Sequence, residues 1–209
     1  VKKTAKEQSR AQLTRTAAAR RAGTPPGGTH RKGGHPMENL TLALATEEDR
    51  EAIWAVWHAC ALHPDTCWEE AYPTPALLAE DLTKGWLYVF LQDGHVVGSV
   101  SLPPADIIEK QGYPFEPCGP AVMLTRICVA PALWRHGLGG ALLRLAEAQA
   151  ARLGAGGLHI LCDVRNTAGL ALFASAGYQE VCRATLWGDH FSVREKRLTP
   201  ARRFDRAGH

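Results

Sequence analysis

No apolar run in these 209 residues approaches the roughly 20 needed to cross a bilayer. The basic N-terminus is not followed by the apolar core of a secretory signal. The chain therefore reads as soluble and cytoplasmic, without a membrane partner. Its six cysteines (60, 67, 118, 128, 162 and 182) form no CxxC pair. Cys128, Cys162 and Cys182 fall in apolar runs, where a free thiol behaves as a small hydrophobe. One metal set suggests itself: His58, Cys60, His63 and Cys67. Their spacing around a helix end does not gather all four on one face, and no second ligand pair follows at zinc-finger distance. Reduced thiols and no metal are expected. No GK[ST] is present to make a P-loop, and no segment repeats.

Large apolar side chains are scarce in residues 1–36, which carry nine basic residues against Glu7 alone, a net of +8. With the whole chain at +3, residues 37–209 carry −5. A stretch so charged, and so rich in Ala, Thr, Gly and Pro, buries too little surface to offset its ordering entropy. It is expected to be a disordered tail, with Met37 as an alternative start of the folded chain. The basic arm raises the alternative of a nucleic-acid-associated protein, but nucleic acid is not the expected partner. A second charged tail is expected at 200–209, leaving one domain over 37–199. Its 45% hydrophobic content is enough for a real core.

Within that domain the pattern alternates between periods. "LTLALA" (40–45) reads as a strand. Thr46 then caps a helix that has acidic residues in its first turn and Ile53, Val56, Trp57 and Cys60 at helical spacing. "PALLAEDLTKG" is a second helix stopped by Gly85. Two β-rich runs flank Asp93-Gly94, the strongest hairpin signal in the chain. Residues 103–120 hold five prolines and read as a loop or insertion. "AVMLTRICVAP" is one buried strand ended by Pro131. Helix 138–153, strand "LHILCDV", helix 167–176 and a closing hairpin around "WGDH" follow. The expected architecture is α/β, a mixed sheet with parallel character at its strand–helix–strand units.

Between the buried strand and helix 138–153 stands "PALWRHGLGG". Gly137, Gly139 and Gly140 would each weaken a helix interior by roughly 1 kcal/mol. At a helix head they do something else. Free N–H groups there point outward at the positive end of the helix dipole and make an anion site, phosphate above all. Arg135 and His136 add charge at its rim. A GxG before a helix is equally compatible with a plain structural turn. The dinucleotide fingerprint fails, because Leu142 stands where its last glycine is required.

The longer stretch "LTRICVAPALWRHGLGGALL" resembles the acetyl-CoA loop of the GNAT superfamily of N-acetyltransferases. That pattern is a strand ending V-x-P, then Q/R-x-x-G-x-G/A, then an apolar helix. "NTAGLALFASAGYQEV" (166–181) resembles the second block of the family, N-x-x-A-x-x-x-Y-x-x-x-G-F/Y. The element order from 40 to 198 is similar too. The resemblance implies a GNAT-like fold with a splayed sheet of about six to seven strands, and acetyl-CoA as acyl donor. It implies transfer to an amine, either of a small molecule or of a peptide N-terminus or lysine. It places the cofactor on Trp134, Arg135, His136, Gly137, Leu138, Gly139 and Gly140, its pyrophosphate mainly on their backbone N–H groups, with Trp134 either lying against the cofactor or packing. The Ile127 N–H would face the thioester carbonyl as oxyanion donor, Val129 would hold the pantetheine amide, and Asn166 would touch the cofactor while capping its helix. Asp163 and Glu116 are candidate bases, and Trp68, Tyr72 and Tyr88 candidate linings of the acceptor pocket. The chain departs from the pattern at Trp134, the usual Gln/Arg position, and at Phe173, where the family's proton-donating Tyr stands. Phe173 motivates a second alternative, an acyl-CoA-binding module without turnover. A monomer or homodimer is expected.

Overall fold

The computed structural model describes residues 39–198; the expected tails 1–36 and 200–209, and Met37, lie outside the described residues. Among the described residues, eight strands form two four-stranded sheets. The first, in order β1-β2-β3-β5, is antiparallel: β1 (Leu40–Leu44), β2 (Leu87–Gln92), β3 (His95–Ser101) and β5 (Thr125–Val129). The second, in order β4-β6-β8-β7, contains β4 (Ala121–Met123), β6 (Gly157–Asp163), β7 (Gln179–Leu186) and β8 (Asp189–Arg197). Among the described strands only β4 and β6 pair in parallel, as a strand–helix–strand unit requires. The mixed α/β class expected from the sequence is what the chain adopts.

Local chemistry sets the elements. The Thr46 N–H donates to the Asp49 carboxylate at 2.9 Å, closing a capping box over a 3₁₀ turn that leads into α1 (Arg50–Ala61). Thr74 caps α2 (Pro75–Lys84) by accepting from the Leu77 N–H, and Gly85 ends it at φ +68°. A one-turn helix, α3 (Asp106–Glu109), sits inside the proline-rich segment. The helices α4 (Leu138–Arg152) and α5 (Thr167–Ser175) follow β5 and β6. Both hairpin loops, Asp93-Gly94 and Trp187-Gly188, have two consecutive positive φ values, the tight turn that matches strand twist.

The inner strand β2, "LYVFLQ", is apolar up to its final Gln92 because helices cover both its faces. Tyr88 and Phe90 join a core with Leu142, Leu143 and Ala146 of α4, while Leu87, Val89 and Leu91 pack with Ile53, Trp57 and Leu78 of α1 and α2. Each fully buried side chain of this size contributes about 1.5–3 kcal/mol. A third, smaller cluster lies where the 103–120 segment covers the second sheet through Ala105 and Ile108 against Val193.

The single strand expected over 121–130 is two. β4 stays with β6, and β5 leaves it to join β3. The chain is continuous but its hydrogen-bond partners change, so one sheet becomes two and the strand count rises to eight.

Candidate active site at the parting of the sheets

The Leu124 N–H donates to the His159 carbonyl at 2.9 Å, and beyond it β5 diverges from β6. Arg126 sits at the break with φ +49°, in the left-handed region that a non-glycine residue rarely occupies. The pairing with β3 slips opposite it, between Ser99 and Ser101. A buried ion pair holds this conformation. Arg126 donates through Nε and Nη2 to the two oxygens of Asp81, each at 2.8 Å, and Ser101 Oγ donates to the same carboxylate. Asp81 is 1% exposed. A bidentate charge-assisted pair of this kind is strong enough to offset a left-handed backbone, which costs of order 1–3 kcal/mol.

The kink decides which amides face the gap. Ala130 donates its N–H to Val97 on β3 at 2.8 Å. Strand alternation puts Cys128 on that same edge and turns the main chain of Ile127 and Val129 to the opposite, open edge. The Val129 carbonyl there is already used: it accepts from Trp134 Nε1 at 2.7 Å and from Cys60 Sγ at 3.3 Å.

After β5 the chain makes a 3₁₀ turn, Pro131–Leu133, in which the Leu133 and Trp134 N–H groups are spent on Ala130 and Pro131. Arg135 (φ +64°) and Gly137 (φ +76°) then bend the main chain outward, with residues 135–137 exposed. Gly137 is the N-cap of α4. It brings no side chain to the cap, and the first turn carries no acidic residue. Among the described residues no side chain caps the opening amides of α4, which lie at the positive pole of a 15-residue helix. Gly139 lies close under α5: a Cβ there would stand 3.3 Å from Leu172 Cδ2.

Asn166 caps α5, its Oδ1 accepting from the Gly169 N–H at 2.8 Å, so its amide nitrogen is what remains for another partner. A Cβ on Gly169 would come within 2.6 Å of that side chain, which is why glycine stands there. Phe173 is buried, edge-on to Tyr178 at 5.5 Å. Burial and the nearby Glu147 carboxylate push the Tyr178 phenol well above its usual range.

The carboxylates expected as bases occupy different settings. Asp163 is 11% exposed at its side chain and is gripped by Arg165, whose Nη2 lies 2.6 Å away and whose backbone N–H adds a bond at 2.8 Å. The Arg165 hydrogen bonds hold its carboxyl below the usual range. Glu116 is exposed and accepts from Arg197 Nη2 at 3.2 Å, on the 103–120 segment. Trp68 and Tyr72 meet edge-to-face at 5.9 Å in the loop between α1 and α2. Tyr88 instead is buried in the core, where Gln149 Nε2 donates to its oxygen. Within the suggested metal set, Cys60 turns to Val129 and His63 packs on Trp134 at 4.4 Å. Among the described residues no group of three or more His, Cys, Asp or Glu could hold a metal ion.

Sequence reasoning missed Arg126 and Asp81. The only signal for Asp81 is its place three residues after Leu78, on the buried face of an amphipathic helix.

The arrangement is a two-part sheet parted at one strand, with a helix head that no side chain caps beside the gap. Residues 45–178 match the family model described as "Acetyltransferase (GNAT) family", and the chain belongs to that family of acyltransferases. Solved structures share the fold. A GNAT-family acetyltransferase from Streptococcus agalactiae aligns over 79% of this chain and 99% of its own, with TM-score 0.63 and 15% identity. The ribosomal-protein-S18-alanine N-acetyltransferase of Escherichia coli aligns over 78% and 96%, with TM-score 0.58 and 18% identity. The yncA protein of Salmonella typhimurium, solved with its cofactor acetyl-CoA, aligns over 78% and 95%, with TM-score 0.59 and 21% identity. No curated protein matches the sequence significantly. Among the described residues, no helix is long and apolar enough to cross a membrane.

Proposed function

We propose that this chain transfers an acetyl group from acetyl-CoA to a primary amine of a small molecule or peptide by direct attack on the thioester. The observation that carries the reading is the uncapped head of α4 beside the open edge of β5. In this reading the diphosphate meets the main-chain amides from Arg135 to Gly140, with Arg135 and His136 adding positive charge. Trp134 takes no phosphate: its backbone and indole N–H groups are both spent, and it serves as the brace between loop and strand. The pantetheine arm lies along β5, where the Val129 N–H is the group available to its amide. Asn166 Nδ2 is a further donor.

The Ile127 N–H is the oxyanion donor, a contact typically worth about 2.7–4 kcal/mol in the transition state. Holding amine and thioester together supplies roughly 7–11 kcal/mol more. The thiol has an ordinary pKa near 8.5 and leaves as thiolate, which takes its proton from water because Phe173 has none to give. Asp163, committed to Arg165, acts as a structural clamp, and the attacking amine loses its proton to solvent.

The test is calorimetry with acetyl-CoA. Gly139→Glu sets a carboxylate against the diphosphate, yet an acid in the first turn of a helix favours the helix itself. Binding should vanish while the fold persists by circular dichroism; unchanged affinity overturns the assignment. The same protein is then offered polyamines, aminoglycosides and peptide N-termini, with thiol release as readout. The buried Phe173 favours one other reading, a binding module without turnover. Tight acetyl-CoA binding with no amine-dependent thiol release would establish that instead.

A further inference from the structure

The most exposed large apolar side chain among the described residues is Trp187, 85% open to solvent at the tip of the β7–β8 hairpin. Folding does not ask for it there. Trp187 holds φ +53°, a left-handed conformation in which a bulky side chain is an outlier. Asn-Gly is the pair such a turn prefers, and Trp187-Gly188 takes its place. The tip is nevertheless well anchored. Phe191 meets the indole edge-on at 6.0 Å, and the Val164 N–H donates to the His190 carbonyl at 3.0 Å. Arg165 Nη2 donates to Asp189 at 3.2 Å and to Asp163 at 2.6 Å, tying the hairpin to the end of β6. A strained, unburied indole on an anchored tip is built to meet something outside the chain.

Strand register relates the tip to the gap. Met123 pairs with His159 where β4 and β6 run parallel. Four residues further along each strand come Ile127 and Asp163, at about the same level on opposite walls of the gap. Phe191 is the β8 partner of Asp163, and Trp187 lies one ring beyond it. With the gap taken as one strand wide, the path from the Ile127 amide to the indole is on the order of 15–20 Å. A small amine ends well short of that, whereas roughly five or six extended residues span it. The α1–α2 loop supplies the facing wall, where Trp68 meets Tyr72 edge-on and Tyr72 is exposed. Burial and then the Asp163 charge push the Cys67 thiol of this loop above its ordinary pKa, which sets the loop against the same corner. Asp163 and Asp189 put two negative charges against the one positive charge of Arg165, and the loop adds exposed Asp65, Glu69 and Glu70. Such an entrance favours a cation.

We propose that the acceptor is an extended polypeptide with a free N-terminal amine, held between the α1–α2 loop and the β7–β8 hairpin, with an apolar side chain about five residues in seated on Trp187. This rests on the acyl-transfer reading and narrows its acceptor. One arm leads from the gap to the indole, which suits a chain that ends at its reacting amine. There the nitrogen forms the new amide bond to the acetyl carbon as the C–S bond breaks. The electron pair of that bond leaves with the CoA sulfur, and the proton shed by the nitrogen goes to solvent.

The test uses the full chain, acetyl-CoA, alanine amide and two hexapeptide amides, Ala-Gly-Gly-Gly-Leu-Leu and Ala-Gly-Gly-Gly-Ser-Ser, with thiol release as readout. The leucine peptide should exceed the serine peptide about tenfold in kcat/KM, through KM. Trp187→Asn installs the residue the turn prefers, so the fold should persist and the acetyl-CoA Kd should not move. In that variant the KM of the leucine peptide should rise about tenfold, the loss of one aromatic contact, with kcat within about twofold and the two peptides no longer distinguished. Equal kcat/KM for the two peptides, or an unchanged KM in Trp187→Asn, would overturn the proposal. So would a parent dimer that Trp187→Asn converts to a monomer in sedimentation, because a second copy would then cover the ring. Thiol release with alanine amide but with neither peptide would remove the peptide acceptor and leave acyl transfer standing. Failure to bind acetyl-CoA would remove both.

Discussion

Asp163 illustrates how one side chain's partners settle what it can do. A general base contributes typically 10²–10⁴-fold, and it needs a carboxylate free to accept a proton at working pH. Asp163 has both oxygens on Arg165 and a carboxyl held below the usual range by those bonds. Asp163→Asn should therefore change the rate of thiol release by no more than a few-fold and leave its pH profile in place. A loss of two orders of magnitude in steady-state assays would restore Asp163 as the base. The linkage sign gives a second readout. A carboxyl whose folded pKa is depressed stabilises the fold above its unfolded pKa, and that contribution disappears as pH falls through the folded value. The Asn variant should lose this acid-side sensitivity; because Arg165 is largely exposed, its stability near neutrality should change by less than about 1 kcal/mol.

At the scale of elements, the parting of the sheets depends on a contact between α2 and β5. Asp81→Ala would leave the Arg126 guanidinium, 10% exposed, without its counter-charge. Breaking a buried pair from one side costs about 3–5 kcal/mol. Urea denaturation should register that loss. The acetyl-CoA Kd should also rise, since the kink presenting the Ile127 amide loses its anchor. A stability loss with unchanged Kd would show that the kink persists without the pair. This contact also marks where sequence reading stops. Thr46, Thr74, Gly85 and Asp93-Gly94 act on residues within a few positions, so the elements they bound were legible, as was the glycine head of α4. Arg126 and Asp81 are 45 positions apart, and nothing near "LTRICV" signals that its third residue will turn left-handed. The indole of Trp134 was equally opaque: a bulky residue in a phosphate-binding turn can be read as ligand contact or as packing. Its bond to the Val129 carbonyl depends on a fold the local sequence does not encode.

Over the whole molecule, the two sheets are joined covalently where β4 runs into β5, and their separation leaves a gap between β5 and β6. The halves are not equally buffered against acid. In the second sheet, His159 has its pKa lowered from 6.5 to about 4 by burial, with Glu109 the carboxylate nearest its ring. The unfolded chain then binds more protons than the folded one between those two values, so stability rises with pH across that window and falls on acidification. His159→Phe should flatten this slope between pH 4 and 6.5, measured as the difference in unfolding free energy from the parent chain at each pH. Acetyl-CoA bound across the gap would touch α4 and β5 on one side and α5 on the other, so it should raise the unfolding temperature of both sheets as one transition. At a hundred times Kd the gain is about 2.7 kcal/mol. Because the ligand and His159 act on different terms, the two effects should add, with acetyl-CoA shifting the pH–stability curve upward without changing its slope. If acetyl-CoA steepened the acid limb, His159 and the parted strands would be coupled through β6, the one strand they share.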